Sequence, residues 1–290
     1  MKKFSLILSL MLLLIAVFVL QCFADTKIKE IKVTDSNVLP EDFLFIDNNV
    51  LIRNVRRNKI DIVRRYIRNG ADIDAKDDNG FFPLLAAVDS NNYDMAKLLI
   101  YLGADLDLKT GKIYGKKGII DYGTALMYST RLDLYEMSKL LIKSGANLNI
   151  QNEEGKTALM IAAERGNEKI TKLLISKGAD VNIQSVDKMT ALSYAARYGK
   201  TKIVKILISK GADVNHVHYY GKTPLIEAIE NTRYETVKLL IAKGADLNHK
   251  NNGYDTALDI AKRDRNSAIN RKKSTENIDK IIKLLEKAKK

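Results

Sequence analysis

Cysteine is all but absent: Cys22 is the single one in 290 residues. That excludes an intrachain disulfide scaffold and any zinc site built on cysteine. Tryptophan is missing, proline occurs 3 times, and aromatic residues make up 7% of the chain. Such scarcity argues against a β-sandwich, whose turns and core draw on those residues. The local signatures of hydrolases and metallopeptidases, HExxH and GxSxG, are also missing. What remains is 46% hydrophobic and 29% charged, an ordinary globular balance that excludes a mainly disordered, collagenous or polytopic membrane protein. The residue types point to a helical protein cored by Leu, Ile and Ala.

The first segment reads as a targeting signal. Met1, Lys2 and Lys3 give a positive start, Phe4 to Leu20 form an apolar run, and charge resumes at Asp25, the order expected of a secretory leader. Cleavage after Ala24 would remove the only cysteine. A competing exit is a lipoprotein signal at Val19-Leu20-Gln21-Cys22, although Gln21 departs from the small residue that pattern wants before the cysteine. A third reading is a permanent anchor, for which the run lies near the lower length limit. Soluble export is preferred; in each case the working domain, after a linker at 25–40, lies outside the cytoplasm, periplasmic or secreted.

Beyond the linker the chain repeats. Gly-Ala-Asp or Gly-Ala-Asn begins at Gly70, Gly103, Gly145, Gly178, Gly211 and Gly244, with successive spacings of 33, 42, 33, 33 and 33. A second signature follows at Thr157-Ala158-Leu159, Thr190-Ala191-Leu192, Thr223-Pro224-Leu225 and Thr256-Ala257-Leu258. In the 42-residue interval it comes late, at Thr124, which places nine extra residues between Leu106 and Thr124. Each unit reads as helix, turn, helix, loop. Thr157 can cap the first helix, Ala158, Leu159, Ala162 and Ala163 give a small apolar face, and Ile170, Leu173 and Leu174 stripe the second helix, which stops at Gly178. Asn58, Asn91, Asp133, Gly166 and Gly199 stand between the helices and tolerate positive φ; Thr232 at that place is unexplained.

These strings resemble the ankyrin repeat family, from about Glu41 to the C-terminus. The resemblance implies an all-α solenoid of about seven stacked helix-turn-helix units with β-turn fingers, the caps at about 41–76 and 251–290. The histidine usual after Thr-Pro-Leu is replaced by Leu85, Met127, Met160, Ser193, Ile226 and Asp259, and Lys188 stands where the finger turn usually has glycine. The nine-residue insertion, with Gly111, Gly115 and Gly118 among lysines, is expected as an extended, mobile finger too glycine-rich to fold alone, which orders against a partner or the neighbouring repeat; the alternative is a tolerated loop.

The formal charge of +13 concentrates in the caps, with Arg53, Arg56, Arg57, Arg64, Arg65 and Arg68 expected on solvated faces. Gly111, Gly115, Lys116 and Lys117 have the wrong spacing for a phosphate loop. His216 and His218, read as exposed imidazoles, have only His249 nearby, too few ligands for a structural zinc site. No catalytic set, metal or cofactor is therefore expected. The resemblance implies that function lies on the concave face made by finger tips and first helices. The residues mapped there are Asp78, Asn79, Phe81, Glu153, Glu154, Lys156, Glu164, Arg165, Val186, Asp187, Met189, Arg197, Tyr198, Tyr219, Tyr220, Lys222, Glu230 and Asn231. Phe81, Tyr198, Tyr219 and Tyr220 are the expected anchors, because aromatic residues dominate interface hot spots. The expected partner of this monomer is another protein, not nucleic acid. The alternative is an envelope protein held at the membrane by acylated Cys22 or by the basic caps; an enzyme of unrecognised type is a remote third.

Overall fold

The computed structural model describes residues 47–110, 112–115, 118–121 and 123–289. The leader, Cys22, the linker and residues 41–46 of the first cap lie outside the described residues. Among the described residues fourteen helices form seven antiparallel pairs: α1 (Asn48–Arg56) with α2 (Ile60–Arg68), α3 (Pro83–Asp89) with α4 (Tyr93–Tyr101), α5 (Ala125–Arg131) with α6 (Tyr135–Lys143), and α7 (Ala158–Arg165) with α8 (Glu168–Ser176). Then come α9 (Ala191–Arg197) with α10 (Thr201–Ser209), α11 (Pro224–Glu230) with α12 (Tyr234–Ala242), and α13 (Ala257–Asn270) with α14 (Glu276–Ala288). First helices pack on first helices and second on second along the stack. None is long and apolar enough to cross a membrane.

The two helices of a unit differ because their surroundings differ. A first helix has a first helix on either side and its own partner behind, so α9 buries every residue from Ala191 to Ala196. The alanines let the backbones approach closely. A second helix touches neighbours along one stripe, and α8 buries only Ile170, Thr171 and Leu174, an amphipathic pattern with solvent on the far side. The repeated threonine explains itself: Thr124, Thr157, Thr190, Thr223 and Thr256 each accept a bond from the backbone N–H three residues on, satisfying a donor the helix start leaves free. α3 instead starts on Phe82 with Pro83, whose fixed φ suits a first turn.

The repeated Asp or Asn after each Gly-Ala-Asp ties one unit to the next. Asp74 accepts from the Asp105 N–H at 3.0 Å, Asp107 from Asn147 at 2.9 Å, Asn149 from Asp180 at 3.0 Å and Asn215 from Asp246 at 2.8 Å. Between the helices, the expected residues take positive φ, and Thr232 does so too at 54°. The same backbone path is imposed there by the scaffold on a β-branched side chain, a strained choice. Lys188 likewise adopts the finger-turn conformation at φ 58°, where Gly155 and Gly221 serve in the adjacent fingers.

The insertion corrects one expectation. It contains a two-stranded antiparallel hairpin, β1 (Lys112–Gly115) and β2 (Gly118–Asp121), with Ile113 opposite Ile120 and Tyr114 opposite Ile119. The Ile and Tyr positions supply β propensity, and Gly115 and Gly118 are the last pair of the ladder. Residues 111, 116, 117 and 122 lie outside the described residues.

Candidate functional site

The fingers are built by short side chains at their bases. Five residues before the capping position, Asp77 accepts from the Phe81 N–H at 2.8 Å, Asn152 from Lys156 at 2.8 Å, Ser185 from Met189 at 3.2 Å and Asn251 from Asp255 at 3.0 Å. Each bond closes a tight loop locally. Adjacent fingers are then joined through backbone: Val186 N–H donates to Glu154 O at 3.0 Å and Tyr219 N–H to Asp187 O at 3.1 Å. The imidazoles of His216 and His249 lie 2.7 and 2.8 Å from the carbonyls of Lys188 and Gly221; a carbonyl only accepts, so the ring nitrogens donate.

At the same base position in the sixth unit stands His218, and it does something different. Its side chain is wholly buried, Nε2 lies 2.9 Å from Glu227 Oε1, and Nδ1 is buried without a hydrogen-bond partner. Two exposed imidazoles were expected here; His218 is instead core, because Glu227 on α11 draws it inward. Glu227 is itself gripped by Arg197 from the preceding unit, Nε to Oε2 at 2.7 Å and Nη2 to Oε1 at 2.9 Å. Burial pushes the Glu227 carboxyl up, but the bonds from His218 and Arg197 outweigh it and hold the pKa at about 2. The same pairing raises the Arg197 pKa. Among the described residues no group of three or more His, Cys, Asp or Glu could hold a metal ion.

Arg197 belongs to a row. At the corresponding repeat position, seven after the capping residue in the second to seventh units, stand Arg56, Asp89, Arg131, Glu164, Arg197, Glu230 and Arg263 in successive units, alternating in sign from one end of the array to the other. Six of the seven are engaged. Arg56 reaches Asp77 and Asp89 at 3.7 and 3.8 Å and lies over the Phe81 ring; Asp89 also accepts from the Tyr128 hydroxyl at 2.7 Å. Glu164 pairs with Lys156 at 3.1 Å, Glu230 with Lys222 at 2.7 Å, and Arg263 with Asp255. Arg131 has no such partner among the described residues, and its Nε is buried unbonded.

The expected face residues sort accordingly. Tyr198, Tyr219 and Tyr220 are 41, 66 and 55% exposed, with Val186 and Val217 at 68 and 42%, and Tyr219 meets Tyr220 edge to face at 5.9 Å. Asp78, Asn79, Glu153, Glu154, Arg165 and Asp187 are exposed; Asn231, Glu164 and Glu230 are half-buried. Asp78 is bonded to Asn49 of the first unit. Lys156 is half-buried over the Tyr194 ring; burial pulls its pKa down, but Glu154, Tyr194 and Glu164 more than offset this and raise it. Lys222 lies over Tyr220. Two of the mapped residues do not offer surface. Met189 is 1% exposed, because its backbone closes the finger on Ser185 and its apolar side chain turns into the core. Phe81 is half-buried, packed on the core and covered by Arg56, so neither residue is a free anchor or a solvated arginine.

Arg131, Glu227 and the alternating row escaped the sequence reading, yet the signal was present: one position of a 33-residue period changing sign at every step, and a glutamate where other units carry Ile161 or Ala86. The family profile described as ankyrin repeats (3 copies) matches residues 20–110, 113–185 and 178–251. No curated protein matches the chain. With the profile covering well over half its length and the helix pairs, fingers and turn positions recurring in register, the chain belongs to the ankyrin-repeat family.

Proposed function

We propose that this chain is a non-catalytic binding module that holds another protein on its concave face, outside the cytoplasm. Ankyrin repeats are generally protein–protein interaction modules. The observation that carries the reading here is the exposed apolar cluster of Val186, Tyr198, Val217, Tyr219 and Tyr220, set on two adjacent fingers and the end of α9. Backbone bonds between those fingers fix the tyrosines before a partner arrives, which lowers the ordering cost of association. Beside them Lys222 and Arg197 are paired within the array, with Glu230 and Glu227, so the exposed aromatic rings are the anchors of the face.

The test is a cross-linked pull-down from envelope extracts of the exporting cell, comparing the wild-type chain with a Tyr198→Ala, Tyr219→Ala, Tyr220→Ala variant that melts at the same temperature. A partner held by the first and lost from the second supports the reading; equal capture by both overturns it. The bacterial, exported setting rests on the leader, and the mass of the mature protein decides its form. A chain beginning at Asp25 is soluble export, whereas an acylated Cys22 establishes the lipoprotein and makes membrane contact part of the function.

A further inference from the structure

The array contains its own demonstration of what an arginine at the end of a first helix binds. Arg197 ends α9 and takes a carboxylate, Glu227, from the fourth residue of α11 in the following unit, using Nε and Nη2 together. Arg131 ends α5 at the corresponding place. The residue that corresponds to Glu227 is Ile161, in α7, which is apolar and 2% exposed. Its two neighbours in the charged row are no help, because Asp89 is taken up by Tyr128 and Arg56 and Glu164 by Lys156. The guanidinium is therefore uncommitted among the described residues, its Nε is buried without a bond, and Leu132 beside it is 42% exposed. The enclosed Nε is out of a partner's reach, but the two terminal nitrogens are neither enclosed nor bonded among the described residues, and these an incoming carboxylate can meet.

We propose that Arg131 is the receptor for an acidic side chain of the partner, which lies across the concave face as an extended segment. This rests on the reading of that face as the binding surface. Tyr198 follows Arg197 at the end of α9, two units from Arg131. First helices stacked at 8–10 Å put the two roughly 16–20 Å apart, a span of about five or six extended residues. The segment thus carries an Asp or Glu over Arg131 and, about five or six residues away, an apolar or aromatic side chain on Tyr198, Tyr219 and Tyr220. A fork-shaped guanidinium suits a carboxylate in a way that a lysine would not.

A phage-displayed library of random twelve-residue peptides, panned on the full mature chain, tests this without knowledge of the natural partner. The selected peptides are expected to share an acidic residue about five or six positions from an apolar one. Against Arg131→Glu the acidic preference turns basic, and a peptide chosen on the wild type loses roughly tenfold or more in affinity for Arg131→Ala. Arg131→Lys recovers part of that loss and not all of it. Selection of the same peptides by wild type and Arg131→Glu, or no selection of any peptide, overturns the proposal. If peptides are selected and Arg131 matters, yet the triple tyrosine variant binds them unchanged, it is the aromatic face that fails; if the tyrosines matter and Arg131 does not, only this inference falls.

Discussion

The fourth and sixth units share a backbone and the repeat's signature residues, yet they solve one packing problem in opposite ways. Both carry the finger-to-helix ion pair, Lys156 with Glu164 and Lys222 with Glu230. They differ at the finger base, Asn152 against His218, and on the first helix, Ile161 against Glu227. In the fourth unit Asn152 closes its own turn and Ile161 is simply core. In the sixth, a buried carboxylate needs two donors, and the finger base surrenders its turn-closing side chain to supply one of them. A polar substitution inside the array therefore reaches into its neighbours: Glu227 recruits His218 from its own unit and Arg197 from the one before. The unit without that carboxylate leaves the preceding arginine free. Stability and a binding site are traded at one repeat position.

The largest expected effect comes from removing one partner of the buried group. Arg197→Ala leaves Glu227, at 2% side-chain exposure, with His218 alone, and breaking a buried pair in this way costs about 3 kcal/mol or more. Urea unfolding at neutral pH measures it; a cost under 1 kcal/mol would mean that the Arg197 bonds are solvent-screened. The corresponding Arg131→Ala has no pair to break, and its midpoint should stay within about 0.5 kcal/mol of wild type.

Acid gives the same carboxylate a second reading. Its folded pKa of about 2 lies below the ordinary glutamate value of 4.5, so its contribution is full above about pH 4.5 and is lost as the pH falls toward 2. A depression of this size corresponds to about 3 kcal/mol. Other carboxylates titrate in that window, so the informative quantity is the difference between wild type and Glu227→Gln, which should narrow as the pH falls from 5 to 2. A difference that stays constant over that range would sink the assignment. The shared ion pair is a smaller matter. Lys156→Met should cost about 1 kcal/mol, since the pair with Glu164 is half-buried and lies between the small worth of exposed pairs and the larger cost of breaking buried ones.

How much of this was legible follows from what repeats and what does not. The threonine caps and the glycine stops recur at one period, so the helix-turn-helix unit could be read from the residues, and its stacking followed from the family resemblance. So could the Asn, Asp and Gly turn residues that take positive φ, though not Thr232, which the scaffold forces into the same path. Met189 could not be placed, because it shares its position with Lys156 and Lys222, which stay at the surface, and only the side chain's polarity decides which way it turns. His218 was read as an exposed loop residue since its neighbours, His216, Tyr219 and Tyr220, are loop residues; the reason for its burial, Glu227, lies nine positions on. Arg131 was hidden for a related reason. Its freedom depends on the absence of a carboxylate thirty residues away, a comparison between units rather than a property of any one string. The hairpin in the insertion needed pairing between strands, which neither the glycines nor the lysines announce.

A nearly neutral exchange is the most informative. Glu227→Ile on its own removes the carboxylate but leaves the His218 Nε2 without its acceptor in the core, and an unsatisfied buried group costs about 1–3 kcal/mol. Adding His218→Asn restores the pair of residues that the fourth unit uses, with an amide that can accept the Lys222 N–H as Asn152 accepts that of Lys156. Replacement of a buried ionic cluster by well-packed apolar residues is often neutral or stabilising, so the double variant should unfold within about 1 kcal/mol of wild type. It should also lose the acid dependence assigned to Glu227. The variant has one further consequence. Arg197 is released and becomes a second copy of Arg131, two units along the same row, so a chain with no loss of stability should gain a site for a carboxylate beside Tyr198. If the double variant is as unstable as Arg197→Ala, the two units are not interchangeable solutions, and the buried cluster is required by something specific to the sixth.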